Sequence, residues 1–352
     1  MRKAKATPAT PITPPGKGTR VGAIATLLPL AVSMIPAAGS FATRATQPAA
    51  TQPAAATSRR QPTAKEFSIP INDLRQWAAS VVVTMPNVTI EGNSKVHQQD
   101  ADCEIHFGAH AAGFKGDPPG IVLEPMNACS MPFPGEAEQR DSDYLDFAKS
   151  IKNKVVSIAG VPRIWPEHLT GGGGPSNPDH ALEFHPLTAV VTNGETVDFS
   201  AHVFAGEYRG GVSQPTAESI VTQTAVTVAT NGNFADISFF GGRIGNFTTL
   251  DLNVDKASII SDGAGSFRMM GQVVLEDGIL VPVQMVTVKG SPLNDRIESL
   301  KRRRSATISL GETLVLFSLS PQSLMNAANQ SNGNAVQVID PIQLILYGAP
   351  EG

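Results

Sequence analysis

From Phe67 onward the chain is written in short apolar runs broken by glycine, proline and Asn-Gly or Asp-Gly pairs, the punctuation of a β-rich protein. A helix is predicted over 71–80, with Asn72 or Asp73 near its N-cap. The β-branched runs 81–84 and 88–90, parted by Met85-Pro86-Asn87, read as one strand with a break. Residues 102–109 (DCEIHFGA) alternate, which places Cys103, Ile105 and Phe107 on one face and Asp102, Glu104 and His106 on the other. A third strand covers 120–125. The period then changes: Tyr144, Leu145, Phe147, Ala148 and Ile151 fall at helical spacing within 135–154. Asp141 and Asp143 precede them and Lys149, Lys152 and Lys154 follow, the charge order a helix dipole favours. Two apolar strands within 155–191 close the series, joined by a loop that contains Gly171 to Gly174.

Strand, strand, strand, helix, strand, strand is the element order of an OB-type barrel. The fold expected is therefore mainly β, with an OB-like five-stranded barrel and one helix over 66–195. Beyond it, strand-like runs recur at 219–229, 235–240, 248–254, 267–275, 280–288, 306–318 and 336–347. About seven strands with little helical pattern predict a β-sandwich-like domain over 196–352, or a second barrel. The exception is 294–304, a short charged helix or turn; its closing run Lys301-Arg302-Arg303-Arg304 reads as a solvated loop, with a contact for an acidic polymer or a lipid headgroup as the competing reading.

The N-terminus changes the picture. Residues 1–20 carry Arg2, Lys3, Lys5, Lys17 and Arg20 with no acid, and an apolar run of small residues follows over 21–38. This predicts an export signal over 1–42, with an uncleaved membrane anchor as the alternative. Residues 43–65 repeat Thr-Gln-Pro-Ala-Ala and read as a disordered linker. The net charge is −4, so a case for nucleic acid, which rests on Lys and Arg against phosphates, is not made. Two cysteines, Cys103 and Cys129, predict one disulfide in an exported protein; two buried thiols are the alternative.

Candidate chemistry is sparse. There is no Gly-x-Ser-x-Gly elbow, no HExxH and no phosphate loop after the four glycines. Glu104-x-His106 and Glu183-x-His185 each place a carboxylate and an imidazole on one strand face. If the two strands face each other, these four residues form a divalent metal site, to which His168 or His180 could add a ligand. Read otherwise, they satisfy buried hydrogen bonds. Glu104 and Glu183 could also serve as the two carboxylates of a glycosidase, a pair whose separation the sequence does not give. Arg163, Trp165 and His168 stand at the root of the glycine loop, where OB barrels border their binding face, and are the candidate ligand-binding residues. No catalytic residue is assigned.

The segments DADCEIHFGAH, GIVLEPMNAC, KVVSIAGVPRIWPEHL and HALEFHPLTAV resemble a group of uncharacterised bacterial exported proteins with an OB-fold-like domain. That group carries an Asp-Gly-Asp-x-His strand, a Pro-x-x-Cys-like segment, a Val-x-Val-x-Gly-Val strand and a Glu-[Ile/Leu]-His-Pro-[Val/Leu] strand. The resemblance covers 86–192. It puts Asp102 and His106 at the Asp-x-x-x-His positions, Cys129 at the cysteine, Gly160 at the glycine and His168 at a loop histidine. Glu183, His185 and Pro186 stand at the terminal motif. Ala101 departs from the group's glycine, Cys103 is an additional cysteine, and the loop after His168 is glycine-rich. The resemblance implies the fold and no activity.

The sequence thus describes an exported, non-enzymatic binding protein that presents its barrel to an extracellular or envelope polymer or protein. A metal-dependent hydrolase using Glu104, His106, Glu183 and His185, and a structural or adhesion protein of the envelope, are the alternatives. No cofactor is called for beyond that candidate divalent metal.

Overall fold

The computed structural model describes residues 63–98, 102–203, 211–241, 243–302 and 305–348. The expected signal or anchor, linker residues 43–62, Ala101, and Arg303 and Arg304 of the basic run lie outside the described residues.

β1 (Lys65–Pro70) leads into α1 (Ile71–Ala79), which buries Leu74, Trp77 and Ala78. The OB-type barrel follows, built of β2 (Val83–Val96), β3 (Ile105–Ala111), β4 (Gly120–Leu123), α2 (Asp141–Ile151), β5 (Val155–Ile164) and β6 (His180–Thr192). β2 pairs with β3 and β3 with β4; β4 runs parallel to β6; β6 pairs with β5, which returns to β2 and closes the ring. The parallel pair between the third and fifth strands, with a helix before the fourth, is the OB arrangement expected. Helix α2 buries Tyr144, Ala148 and Ile151, residues at the spacing that predicted it. β7 (Glu195–Asp198) turns back on β6 through Asn193 and Gly194, both at positive φ (52° and 82°), as a two-residue hairpin requires.

The C-terminal residues hold α3 (Gln214–Gln223), β8 (Ala225–Asn231), β9 (Phe234–Phe240), β10 (Phe247–Asp255), β11 (Ile260–Ser261), β12 (Phe267–Val274) and β13 (Leu280–Thr287). After these come α4 (Pro292–Leu300), β14 (Thr307–Leu319), α5 (Pro321–Ser331), β15 (Val336–Gln337) and β16 (Ile342–Gly348). Of the two arrangements the pattern allows, the ladders make a second barrel. β10, β12 and β13 pair in turn, β13 runs parallel to β16, β16 pairs with β14, and β14 returns to β10. With α4 between β13 and β14, this ring repeats the strand order of the first. A separate four-stranded sheet, β1-β9-β8-β15, stands beside the rings.

Two expectations are corrected and one element is added. Residues 214–223 are helical where a strand was expected from 219, because Pro215 opens a helix whose Ala217 and Ile220 are buried three apart. The expected strand 336–347 is two strands, interrupted at Asp340, which has positive φ (47°) and precedes Pro341. Helix α5 was not foreseen, although Ser320 caps it by accepting from Ser323 N and Asn332 ends it at φ 46°.

The rings meet where Leu319 of β14 pairs with Ile164 of β5. Trp165 lies in this junction, stacked on Phe317 at 6.3 Å and edge-on to Phe239 at 5.7 Å. β6 is buried along both faces from His180 to Thr188. A strand covered by its own barrel on one side and a second barrel on the other has no solvent side, so an alternating polar pattern is not required of it.

Candidate metal centre at the barrel junction

Two chain segments form one wall of the site. Asn127 N donates to Asp102 O at 2.7 Å and Ala128 N to Cys103 O at 2.9 Å. Cys103 and Cys129 are disulfide-bonded, with Cα atoms 5.8 Å apart. Cys103 has φ 47°, so the alternation expected across 102–109 breaks there and β3 begins only at Ile105. The turn leaves both Asp102 and Glu104 buried.

The second wall is β6. Glu124 N donates to Phe184 O (3.1 Å) and Glu124 O accepts from Leu187 N (3.0 Å). This bracket around His185 and Pro186 sets the Glu124 carboxylate against the His185 ring, whose Nδ1 it contacts. The other ring nitrogen, Nε2, lies 2.8 Å from Asp102 Oδ2 and 3.5 Å from Glu104 Oε2. Glu183 Oε2 is 3.7 Å from His185 Nδ1. On the outer side, His106 Nε2 is 2.9 Å from Glu104 Oε1 and 3.5 Å from Glu124 Oε1. The strand pairs Glu104/His106 and Glu183/His185 therefore do come together, through Glu124 between them. Three sets of potential ligand atoms lie within 4.8 Å of one another: Asp102, Glu104 and His185; Glu124, Glu183 and His185; and His97, Glu104 and His106. His168 and His180 do not belong to these sets. They stack on each other at 5.1 Å, and His180 Nε2 is 3.1 Å from Glu183 Oε1.

Charge is arranged in opposed layers. Burial would raise the Glu183 carboxyl, but the Arg163 guanidinium and His180 outweigh it and hold it well below the usual range. Burial would lower His185, yet Tyr347, Glu124 and Asp102 around it hold it well above the usual histidine range. Asp102, pushed up by burial, is brought below its ordinary value by His185. Glu104 goes the other way: burial and the neighbouring Asp102 and Glu124 carboxylates push it well up. Asp102 Oδ1 and Glu104 Oε2 find no hydrogen-bond partner among the described residues. Adjacent buried carboxyl groups need either a proton or a cation between them.

The candidate ligand-binding residues fall elsewhere than the sequence placed them. Arg163 and Trp165 are each only 1% exposed, and so are withdrawn from any open face. Arg163 ties the two barrels: Nε donates to Phe317 O (2.8 Å), Nη2 to Asn246 Oδ1 (2.5 Å) and Nη1 to Glu183. His168 is partly exposed. The glycine loop is laid down on the barrel. Gly92 and Gly108, paired across β2 and β3, lie under Pro175 so closely that a Cβ on Gly108 would stand 2.0 Å from Pro175 O. The strand face that OB folds commonly offer to ligands is covered there by the protein's own chain.

Sequence reasoning passed over Glu124, His97 and Tyr347. Glu124 falls at the end of the strand expected over 120–125, and no reading was attached to His97. Tyr347, whose hydroxyl is buried without a partner, comes from the second barrel, 6.4 Å from the His185 ring. No family model matches the chain and no curated protein is significantly similar to it.

Proposed function

We propose that this is an exported, non-enzymatic binding protein whose ligand is a divalent metal ion, held by Asp102, Glu104 and His185 Nε2 at the barrel junction. The observation that carries this reading is the abutting pair of buried carboxyl groups, Asp102 and Glu104, whose Oδ1 and Oε2 find no hydrogen-bond donor among the other described residues, beside an imidazole and two more carboxylates. A mixed oxygen and nitrogen set of this kind suits Zn2+ or Mn2+ better than Ca2+ or Mg2+. Export rests on the basic and then apolar N-terminal sequence, and the disulfide at Cys103 accords with an oxidising compartment. The test is elemental analysis of the purified protein after Zn2+ loading and desalting. Stoichiometric metal that is lost in His185→Ala supports the reading, and a metal-free wild type sinks it.

A second reading, a polymer or peptide ligand on the first barrel, is favoured by one feature. A groove of about 670 Å³ runs along the end of β3, lined by Glu91, His110, Phe114, Lys115, Pro119 and Asp179 among others. Its size is that of ligand sites, and it replaces Arg163 and Trp165 as the place to look. Glycan and peptide arrays probed with wild type and Phe114→Ala test it; no ligand whose binding depends on Phe114 would end it.

A further inference from the structure

Glu104 presents its two carboxylate oxygens to two different groups of ligands. Oε2 faces Asp102 and His185, with the His185 nitrogen at 3.5 Å. Oε1 is 2.9 Å from His106 Nε2 on the opposite side. His97 completes that outer group: its backbone N–H donates to Glu104 O (2.8 Å), and its ring lies 4.3 Å from the His106 ring, centroid to centroid. Potential ligand atoms of His97, Glu104 and His106 all fall within 4.8 Å of one another.

We infer that the centre is dinuclear, with Glu104 bridging the inner metal ion to a second, outer ion bound by His97 and His106. This rests on the inner site proposed above. A carboxylate whose two oxygens address separate ligand sets is the usual bridge of two-metal sites, whose ions stand about 3.5–4 Å apart. The two positions differ in kind. The inner ligands are buried: Asp102 and His185 are 3% and 1% exposed. The outer one is reached from solvent, since His97 and His106 are only partly buried. Two imidazoles and one carboxylate make three protein ligands among the described residues, and a three-ligand tetrahedral site takes water or an incoming anion as its fourth. The outer ion is therefore the exchangeable one, and any oxyanion the protein recognises through metal would meet it first.

The inner oxygen supports a cation on that side of the bridge: Glu104 Oε2 is buried against the Asp102 carboxyl group and lies at ion-pair distance from His185 without a hydrogen bond to it. The outer side is supported by chemistry of a different kind. Two partly buried imidazoles and a carboxylate oxygen converge there, a ligand set that among divalent cations suits a borderline transition metal.

The experiment is Zn2+ stoichiometry on the full chain, stripped with chelator, reloaded, desalted and measured by elemental analysis. It is run beside His97→Asn/His106→Asn, whose fold is checked by circular dichroism. Two ions in wild type and one in the double variant are expected. One ion in both proteins overturns the outer site and leaves the inner reading standing. Two ions in both overturns the assignment to His97 and His106. No ion in wild type overturns the inner reading together with this one. A Co2+ titration of wild type gives a check that needs no variant. Two sequential sets of visible bands, the second removed by mild chelation, are expected, and a single set contradicts the bridge.

Discussion

His185 Nε2 lies 2.8 Å from Asp102 Oδ2, joining residues 83 positions apart in the chain. Both are buried, and the contact links the last strand of the first barrel to the turn at the disulfide. In chelator-treated protein this is a buried ion pair, and removing one partner leaves the other charge uncompensated. Asp102→Asn and His185→Gln are each expected to cost about 3–5 kcal/mol in urea denaturation. The double variant should cost clearly less than the two summed, since the residues share one interaction. Additive losses would show that the pair is not coupled.

Arg163 is the corresponding tie between the barrels. Its guanidinium serves Glu183, Phe317 O and Asn246 at once, which a lysine ammonium cannot reproduce in the same geometry. Arg163→Met leaves Glu183 buried without its main counter-charge and should cost about 3–5 kcal/mol. Arg163→Lys should recover only a minor part. A lysine variant as stable as wild type would show that charge alone, and not the fork, matters at this position.

The disulfide joins Cys103 to Cys129, 26 residues apart. Closing such a loop is expected to stabilise by roughly 3–4 kcal/mol in the chain-entropy model. Because Cys103 lies between Asp102 and Glu104, Cys103→Ser/Cys129→Ser should also loosen the metal ligands. The check is a paired measurement of unfolding midpoint and Zn2+ affinity. A fall in stability with unchanged affinity would separate the bridge from the site.

His202 gives a pH dependence away from the metal ligands. Its imidazole is buried against Tyr144 OH (2.9 Å) and Pro132 O (3.1 Å), and burial holds its pKa below the ordinary value. The unfolded chain then binds a proton that the folded protein refuses. The stability this group confers is present above the unfolded value of about 6.5 and is lost as pH falls from there toward the folded value. Denaturation of wild type and His202→Asn at pH 7.5 and pH 5 isolates the effect: the variant should lose less stability on acidification. An equal loss would assign the acid sensitivity to other groups.

Much of the first barrel could be read from spacing alone. Alternation and helical period located β3 and α2 because each has one face on a core and the other nearer solvent, while β4 and β6 were located as continuous apolar runs. The reading failed where that condition fails. At Cys103 a left-handed residue breaks the period, so Asp102 and Glu104 reach the cluster by a turn and not by the pleat. In β6 both faces are covered, so Glu183 and His185 look like anomalies in an apolar run when they are the polar heart of a junction. Glu124 and Tyr347 carried no local signal. Their role depends on a backbone bracket around His185 and on the second barrel, both of which are long-range. Arg163 and Trp165 were misplaced for the same reason, since a residue at a loop root looks exposed until a second barrel packs over it.

The central claim is that the carboxylates and imidazoles around Glu104 exist to hold metal. The most direct measurement is isothermal titration of Zn2+ into the chelator-stripped full chain at neutral pH, with His185→Ala as the comparison. Stoichiometric, saturable binding that is lost or weakened at least a hundredfold in the variant is the predicted result. Binding no tighter in wild type than in His185→Ala would contradict it, and would leave the cluster as a proton-shared clamp between two barrels.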